Sequence, residues 1–160
     1  MPHELLILDD FLPYRLNRLA EAVSREFAAL YKARLGLTRP EWRTLATLGQ
    51  FGTATATAVG AHSAMHKTKV SRAVAALERR RWLARRPDPA DRRIEHLTLT
   101  AAGRTAYSEV VPMARAFEAD FLAGFDARDR AAIPTAMALL EEAAGLRGGK
   151  PRRAAASAPT

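Results

Sequence analysis

The sequence contains no cysteine, which excludes disulfides, thiolate metal sites and a thiol-based redox switch. It has no apolar run near the roughly 18 to 20 residues that a bilayer-crossing helix needs. The short Leu5-Leu6-Ile7-Leu8 stretch lies between Glu4 and Asp9 without a basic region before it. That is a poor signal peptide, so a cytoplasmic location with no membrane partner is expected. Glycine-rich phosphate loops and nucleophile motifs are also missing. A serine, a histidine and an acid can be picked from any chain of this size, so no catalytic residue, no cofactor and no enzyme is expected. Acids are in the minority, 17 Asp and Glu against 25 Lys and Arg, for a formal charge of +8.

That charge is concentrated. Residues 61 to 104 hold eleven Lys and Arg and four acids, a net +7, and the rest of the chain is near neutral. Such a patch is the electrostatic footprint expected for nucleic acid. The chain, at 160 residues, suits one domain with a sizeable core.

Within the basic segment, residues 55 to 80 have the spacing of a helix-turn-helix. Gly60 is small where two helices would cross, Ala64 is small in the turn, and Val59, Met65, Val70 and Ala73 are apolar where the helices would hold together. The second helix then presents Lys67, Thr68, Lys69, Ser71 and Arg72, side chains suited to phosphates and base edges.

In chain order, Asp10 is placed to cap a first helix whose first turn tolerates Pro13. Leu12, Leu16, Leu19, Val23, Phe27 and Leu30 form a long one-sided stripe ending near Gly36. Thr38 and Glu41 read as a capping box for a second helix that turns Trp42, Leu45, Leu48 and Phe51 inward and stops at Gly52. A short extended piece follows, and Thr55 caps the first helix of the motif. After Arg80 the pattern becomes strand (82–86), turn (87–91) and strand (94–99), a β-hairpin wing. Thr100 would cap a helix carrying Tyr107, Val110, Ala114, Phe117 and Phe121, with a bend expected at Pro112. Asp126 would cap a last helix with Ile133, Met137 and Leu140, its start made irregular by Pro134. Residues 147–160 lack apolar content for burial and are expected to be disordered.

Between Leu77 and Gly103 the sequence LERRRWLARRPDPADRRIEHLTLTAAG resembles the winged-helix signature of the MarR (multiple-antibiotic-resistance regulator) family. The matching residues are Asp91 and Arg93 of an Asp-x-Arg wing, then Leu99, Thr100 and Gly103 opening the next helix; Arg81 departs from it, standing where the family often has glycine. The resemblance implies a mainly α fold with a small β-hairpin wing: a winged helix-turn-helix at 38–100 with dimerisation helices at 9–36 and 101–146, one MarR-like domain over 1–146. It implies an obligate homodimer on a palindromic operator of double-stranded DNA. Lys67 to Arg72 would lie in the major groove, and Arg93 with Arg92 would enter the minor groove, Asp91 orienting an arginine by ion pairing. It further implies a cleft for a small anionic aromatic effector, lined here by Tyr14, Arg15, Arg18, Trp42 and Arg43. Benzoate, salicylate or a hydroxylated pyridine carboxylate would suit a guanidinium beside an aromatic wall.

The expected function is a ligand-responsive dimeric repressor, with a constitutive architectural DNA-binding protein as the alternative and a winged helix used only for protein contacts as a third. His62 and His66 are four residues apart, a metal-ligand spacing, but they straddle the turn without a third ligand nearby, and no metal is expected.

Overall fold

Helix α1, Leu12–Leu35, starts from an extended Phe11, with Pro13 in the first turn where its missing N–H costs nothing. Asp10, expected as the cap, instead sits in the turn before it, its N–H on the Ile7 carbonyl, and no side chain caps the helix. The end is set by Gly36, whose φ of +65° is the left-handed conformation that glycine takes without a Cβ clash. The structure, a computed structural model, describes residues 5–147. The expected disordered tail therefore lies outside the described residues, apart from Arg147, which is ion-paired to Glu141.

Both halves of the predicted capping box form at the start of α2, Arg39–Phe51. The Glu41 N–H donates to Thr38 Oγ1 at 3.4 Å and the Thr38 N–H donates to Glu41 Oε2 at 2.9 Å. Leu45 and Leu48 are buried as expected, but Phe51, in the last turn, is 53 % exposed, with its ring against His62. Strand β1, Thr53–Thr55, precedes α3, Ala56–Ser63, which Thr55 caps through the Ala58 N–H. Helix α4 is Lys67–Arg79, β2 is Leu83–Pro87 and β3 is Glu95–Leu99.

The wing is more than a hairpin. β3 pairs antiparallel with both β2 and β1, so the extended piece before α3 becomes a third strand, in the order β1-β3-β2. Leu83 faces Leu99 across this ladder, and both are buried with Leu97. Ile94, expected in the strand, falls just before it and is exposed. Tyr31, Leu37, Leu45, Leu48, Val59, Val70, Val74 and Leu77 complete one core joining α1, α2, α3, α4 and the sheet.

Helix α5, Ala101–Leu122, continues through Pro112. Its first turn is capped by Thr100, whose Oγ1 accepts the Gly103 N–H and itself donates to the Arg81 carbonyl. The chain divides into two compact units, Met1–Phe117 and Glu118–Thr160, with the division inside α5. In the first unit, Phe117 lies 5.2 Å from Phe27 between ring centroids, and Arg34 pairs with Glu109. In the second, Asp126 caps α6, Ala127–Ala143, as expected, and no residue of α6 is buried.

Candidate nucleic-acid interface

The two helices of the motif cross at Gly60, where a Cβ would come within 3.0 Å of the Met65 carbonyl oxygen and 3.3 Å of Val70. The turn is made by Ala64 in the left-handed region, φ +50°. His66 then caps α4, its Nδ1 accepting the Thr68 N–H at 3.3 Å, while His62 packs edge-on against Phe51. The two histidines are thus separately engaged, and no group of three or more potential metal ligands occurs among the described residues.

With Val70, Ala73, Val74 and Leu77 buried, the opposite side of α4 is solvent-facing. Lys67, Thr68, Lys69, Ser71 and Arg72 are all exposed there. Lys67 and Ser71 also line a cleft of about 580 Å³ with Thr57 of α3 and Arg85 of β2, which brings α4 and the root of the wing to one place. Arg85 was not singled out from the sequence. It bridges elements, bonding Glu78 of α4 at 2.8 Å and Glu95 of β3 at 3.0 Å.

The tip of the wing is organised by two aspartates. Asp88 Oδ1 accepts the N–H groups of Ala90 and Asp91, and its Oδ2 lies 2.8 Å from His96 Nε2. The His96 hydrogen bond and those backbone donors hold the Asp88 carboxyl down at about 2. Asp91 accepts from the Arg93 backbone N–H and from its Nε at 3.0 Å, and its second oxygen accepts from a terminal guanidinium nitrogen at 3.1 Å. This grip lowers the Asp91 pKa while leaving the Arg93 side chain 91 % exposed. Arg92 is exposed beside it.

The five residues expected to line an effector cleft fall into two places. Arg15 and Arg18 border a shallow groove of about 540 Å³ along α1 with Asp9, Glu21 and Arg25, and Arg18 is bonded to Asp9 and lies 5.9 Å from the Tyr14 ring. Trp42 and Arg43 border a cleft of about 350 Å³ with Thr47, Gln50, His62, Ser63 and Ala64. Trp42 rests on Phe27 and Tyr31. Tyr14 lies thirteen residues before Phe27 on the same helix, about 20 Å away along its axis. Within one chain the set does not converge, because the sequence pattern carried no information on where along α1 the second helix would dock.

One contact across that docking is made by a group the sequence reading missed. Arg39 at the start of α2 grips Glu21 of α1 with two nitrogens, at 2.8 and 3.2 Å, and lowers the pKa of that carboxyl. Tyr31 is buried beside it, which raises the pKa of its phenol.

Comparison with known proteins agrees with this geometry. The model of the MarR family matches residues 35–94. Among solved structures, a probable transcriptional regulator from Pseudomonas aeruginosa is 28 % identical over 84 % of this chain and 99 % of its own, with a TM-score of 0.67. The MarR family transcriptional regulator SPO1453 from Silicibacter pomeroyi is 28 % identical over 85 % of this chain and 99 % of its own, TM-score 0.70. BpsR from Bordetella bronchiseptica, whose DNA binding is regulated by 6-hydroxynicotinic acid, is 25 % identical over 79 % of this chain and 98 % of its own, TM-score 0.67. No curated protein matches the sequence.

Proposed function

We propose that this chain is a winged helix-turn-helix transcriptional regulator of the MarR family, whose model it matches over residues 35–94, and that it acts as a homodimeric repressor. It holds a palindromic operator and releases it when a small aromatic carboxylate binds. One observation carries the reading. The exposed row Lys67, Thr68, Lys69, Ser71 and Arg72 stands on the same unit as a wing whose Arg93 is already aimed by Asp91. The row supplies major-groove and phosphate contacts, and Arg93 with Arg92 supplies the wing contact.

The dimer is supported by apolar side chains that a monomer would leave wet. Leu12, Leu16, Leu19 and Leu30 of α1 are each at least 37 % exposed, and in the second unit Met137 and Leu139 of α6 are 46 % and 64 % exposed. Exposed apolar surface of this kind marks a contact surface, and the helices within 9–36 and 101–146 supply it. The effector class is supported by the Trp42–Arg43 cleft, where an indole, a guanidinium, Gln50 and His62 suit a planar carboxylate. Regulation of BpsR by a hydroxylated pyridine carboxylate points to the same chemistry.

The test begins with DNA fragments selected from a random pool by the pure protein. One enriched palindrome is expected, and if the dimer neutralises about 6 to 10 phosphates, affinity should fall by about 10³ to 10⁵ between 50 and 200 mM salt. Benzoate, salicylate and hydroxylated pyridine carboxylates are then titrated into the complex. Enrichment of no palindrome favours the architectural alternative, and a complex that none of the acids releases removes the sensing function.

A further inference from the structure

The C-terminal end of the recognition helix is tied to the end of α1 by one side chain. The Arg80 guanidinium donates to the Leu35 carbonyl at 2.7 Å and to the Gly36 carbonyl at 2.8 Å, and lies 5.0 Å from the Trp82 ring centroid. The last carbonyls of a helix lack partners within it and carry the negative end of its dipole, so a planar cation that can reach two of them is well matched to the site. Arg80 is itself the residue that ends α4.

The two residues after Arg80, Arg81 and Trp82, hold the start of α5. The Arg81 carbonyl accepts from Thr100 Oγ1 at 2.7 Å, and the Trp82 carbonyl accepts from the Thr100 N–H at 3.0 Å. Gly103 approaches so closely that a Cβ there would lie 2.0 Å from the Trp82 oxygen. The ends of α1 and α4 and the beginnings of β2 and α5 therefore meet at residues 80–82. Glu21 of α1 is also gripped by Arg39 of α2, but Arg80 ties the end of α1 directly to the end of α4, and its two directional bonds fix a position there.

We propose that Arg80 is a positioning residue that fixes each recognition helix relative to the dimer-forming helix α1, and so sets the half-site spacing the dimer accepts. The proposal rests on the homodimer reading above. In a two-fold dimer the distance between recognition helices is set by how each winged segment is held on the dimer-forming helices. One base pair moves a half-site by about 3.4 Å along the DNA axis and rotates it, so a rigid junction makes spacing matter. Arg80 is exposed, and exposed polar contacts contribute little to stability. Its effect is on geometry.

The test uses the full chain and the palindrome selected by wild type, with one base pair inserted or removed between half-sites. Wild type should lose at least about tenfold in affinity on either change, and Arg80→Met less than about threefold, while both bind a lone half-site equally. Arg79→Met, which removes the same charge one residue away, should keep the wild-type spacing preference. Arg80→Lys, which keeps the charge and one donor group, should fall between, and it carries the test if Arg80→Met does not fold. A spacing preference as sharp in the Arg80 variants as in wild type overturns the proposal and leaves the dimer reading standing. A wild type indifferent to spacing, or bound as a monomer, overturns both.

Discussion

Asp91 grips Arg93 through both carboxylate oxygens, yet the guanidinium is almost wholly exposed, so the pair holds an arginine in place without using up its outward face. An exposed ion pair contributes little to folding. On the proposed reading its value is that Arg93 would meet DNA already oriented. Arg93→Ala should remove a base or groove contact costing about 1 to 3 kcal/mol at each half-site. Asp91→Ala should cost less, because the charge remains and only its placement is lost. Fluorescence anisotropy on the selected operator measures both, with circular dichroism confirming the helices. Wild-type affinity in folded Arg93→Ala would remove the wing from the reading surface.

Arg81 stands where the family resemblance leads one to expect glycine, and the structure shows what that costs. Its φ is +58°, in the left-handed region that a side chain disfavours by roughly 1 to 2 kcal/mol. Its backbone groups are both used, the N–H on Glu78 and the carbonyl on Thr100, so the conformation is held from two sides. Arg81→Gly keeps those bonds and removes the Cβ clash, while adding freedom to the unfolded chain. A net gain of about 0.5 to 1 kcal/mol is expected, seen as a thermal midpoint a few degrees higher. A lower midpoint would mean the arginine side chain makes contacts that outweigh the strain.

The positions of the helix ends were legible because their signals are local. Thr38 with Glu41, Gly36, Gly52, Thr55, Thr100 and Asp126 each act within four residues, and each does what its type predicts. Asp10 failed because Pro13 sits one residue into α1 and Phe11, not Asp10, precedes it. The exposed polar row of α4 was legible for the same reason as the core, since burying Val70, Ala73, Val74 and Leu77 leaves Lys69 and Arg72 outside. Contacts between distant segments were not. Arg80 on Leu35 and Gly36, Arg39 on Glu21 and Arg85 between Glu78 and Glu95 join residues that no periodicity links. Arginines in a basic segment all read alike until the fold shows which are already spent on protein.

Asp88 makes the wing sensitive to acid. Its carboxyl is held near 2 against an ordinary 3.8, because the charged form accepts from His96 and from two backbone N–H groups. A lowered folded-state pKa gives stability that is fully present above the ordinary value and is lost as pH falls toward 2. The wing tip should therefore stay ordered down to about pH 4 and loosen below it. Carboxyl carbon shifts of Asp88 and exchange of the Ala90 and Asp91 amides, followed by NMR, report this directly. Titration of Asp88 at the ordinary aspartate value, with unprotected amides at neutral pH, would show that the turn is not held in solution.

Arg43 is the residue through which an effector would most directly reach the recognition helix. One guanidinium nitrogen donates to the Ser63 carbonyl at 3.2 Å, a long bond, and Ser63 is the last residue of α3, just before the Ala64 turn. Thr47 holds the same serine, Oγ to Oγ at 3.1 Å. A carboxylate entering beside Trp42 would compete with Ser63 for the guanidinium, and a guanidinium offered two acceptors favours the charged one. The turn leading into α4 would lose one of its anchors. Release requires that the acid bind the free protein better than the DNA-bound one, with couplings typically between about 5- and 150-fold, and operator must weaken acid binding by the same factor. Arg43→Ala removes that same anchor for good, so it should itself lower operator affinity toward that of the acid-bound wild type, and added acid should cause no further release. Arg15→Ala and Arg18→Ala, in the groove along α1, should release normally. The measurement is anisotropy of labelled operator while benzoate, salicylate or 6-hydroxynicotinate is titrated in, with calorimetry of the same acid with and without operator. Release that survives Arg43→Ala and fails in Arg15→Ala or Arg18→Ala would move the effector to the α1 groove.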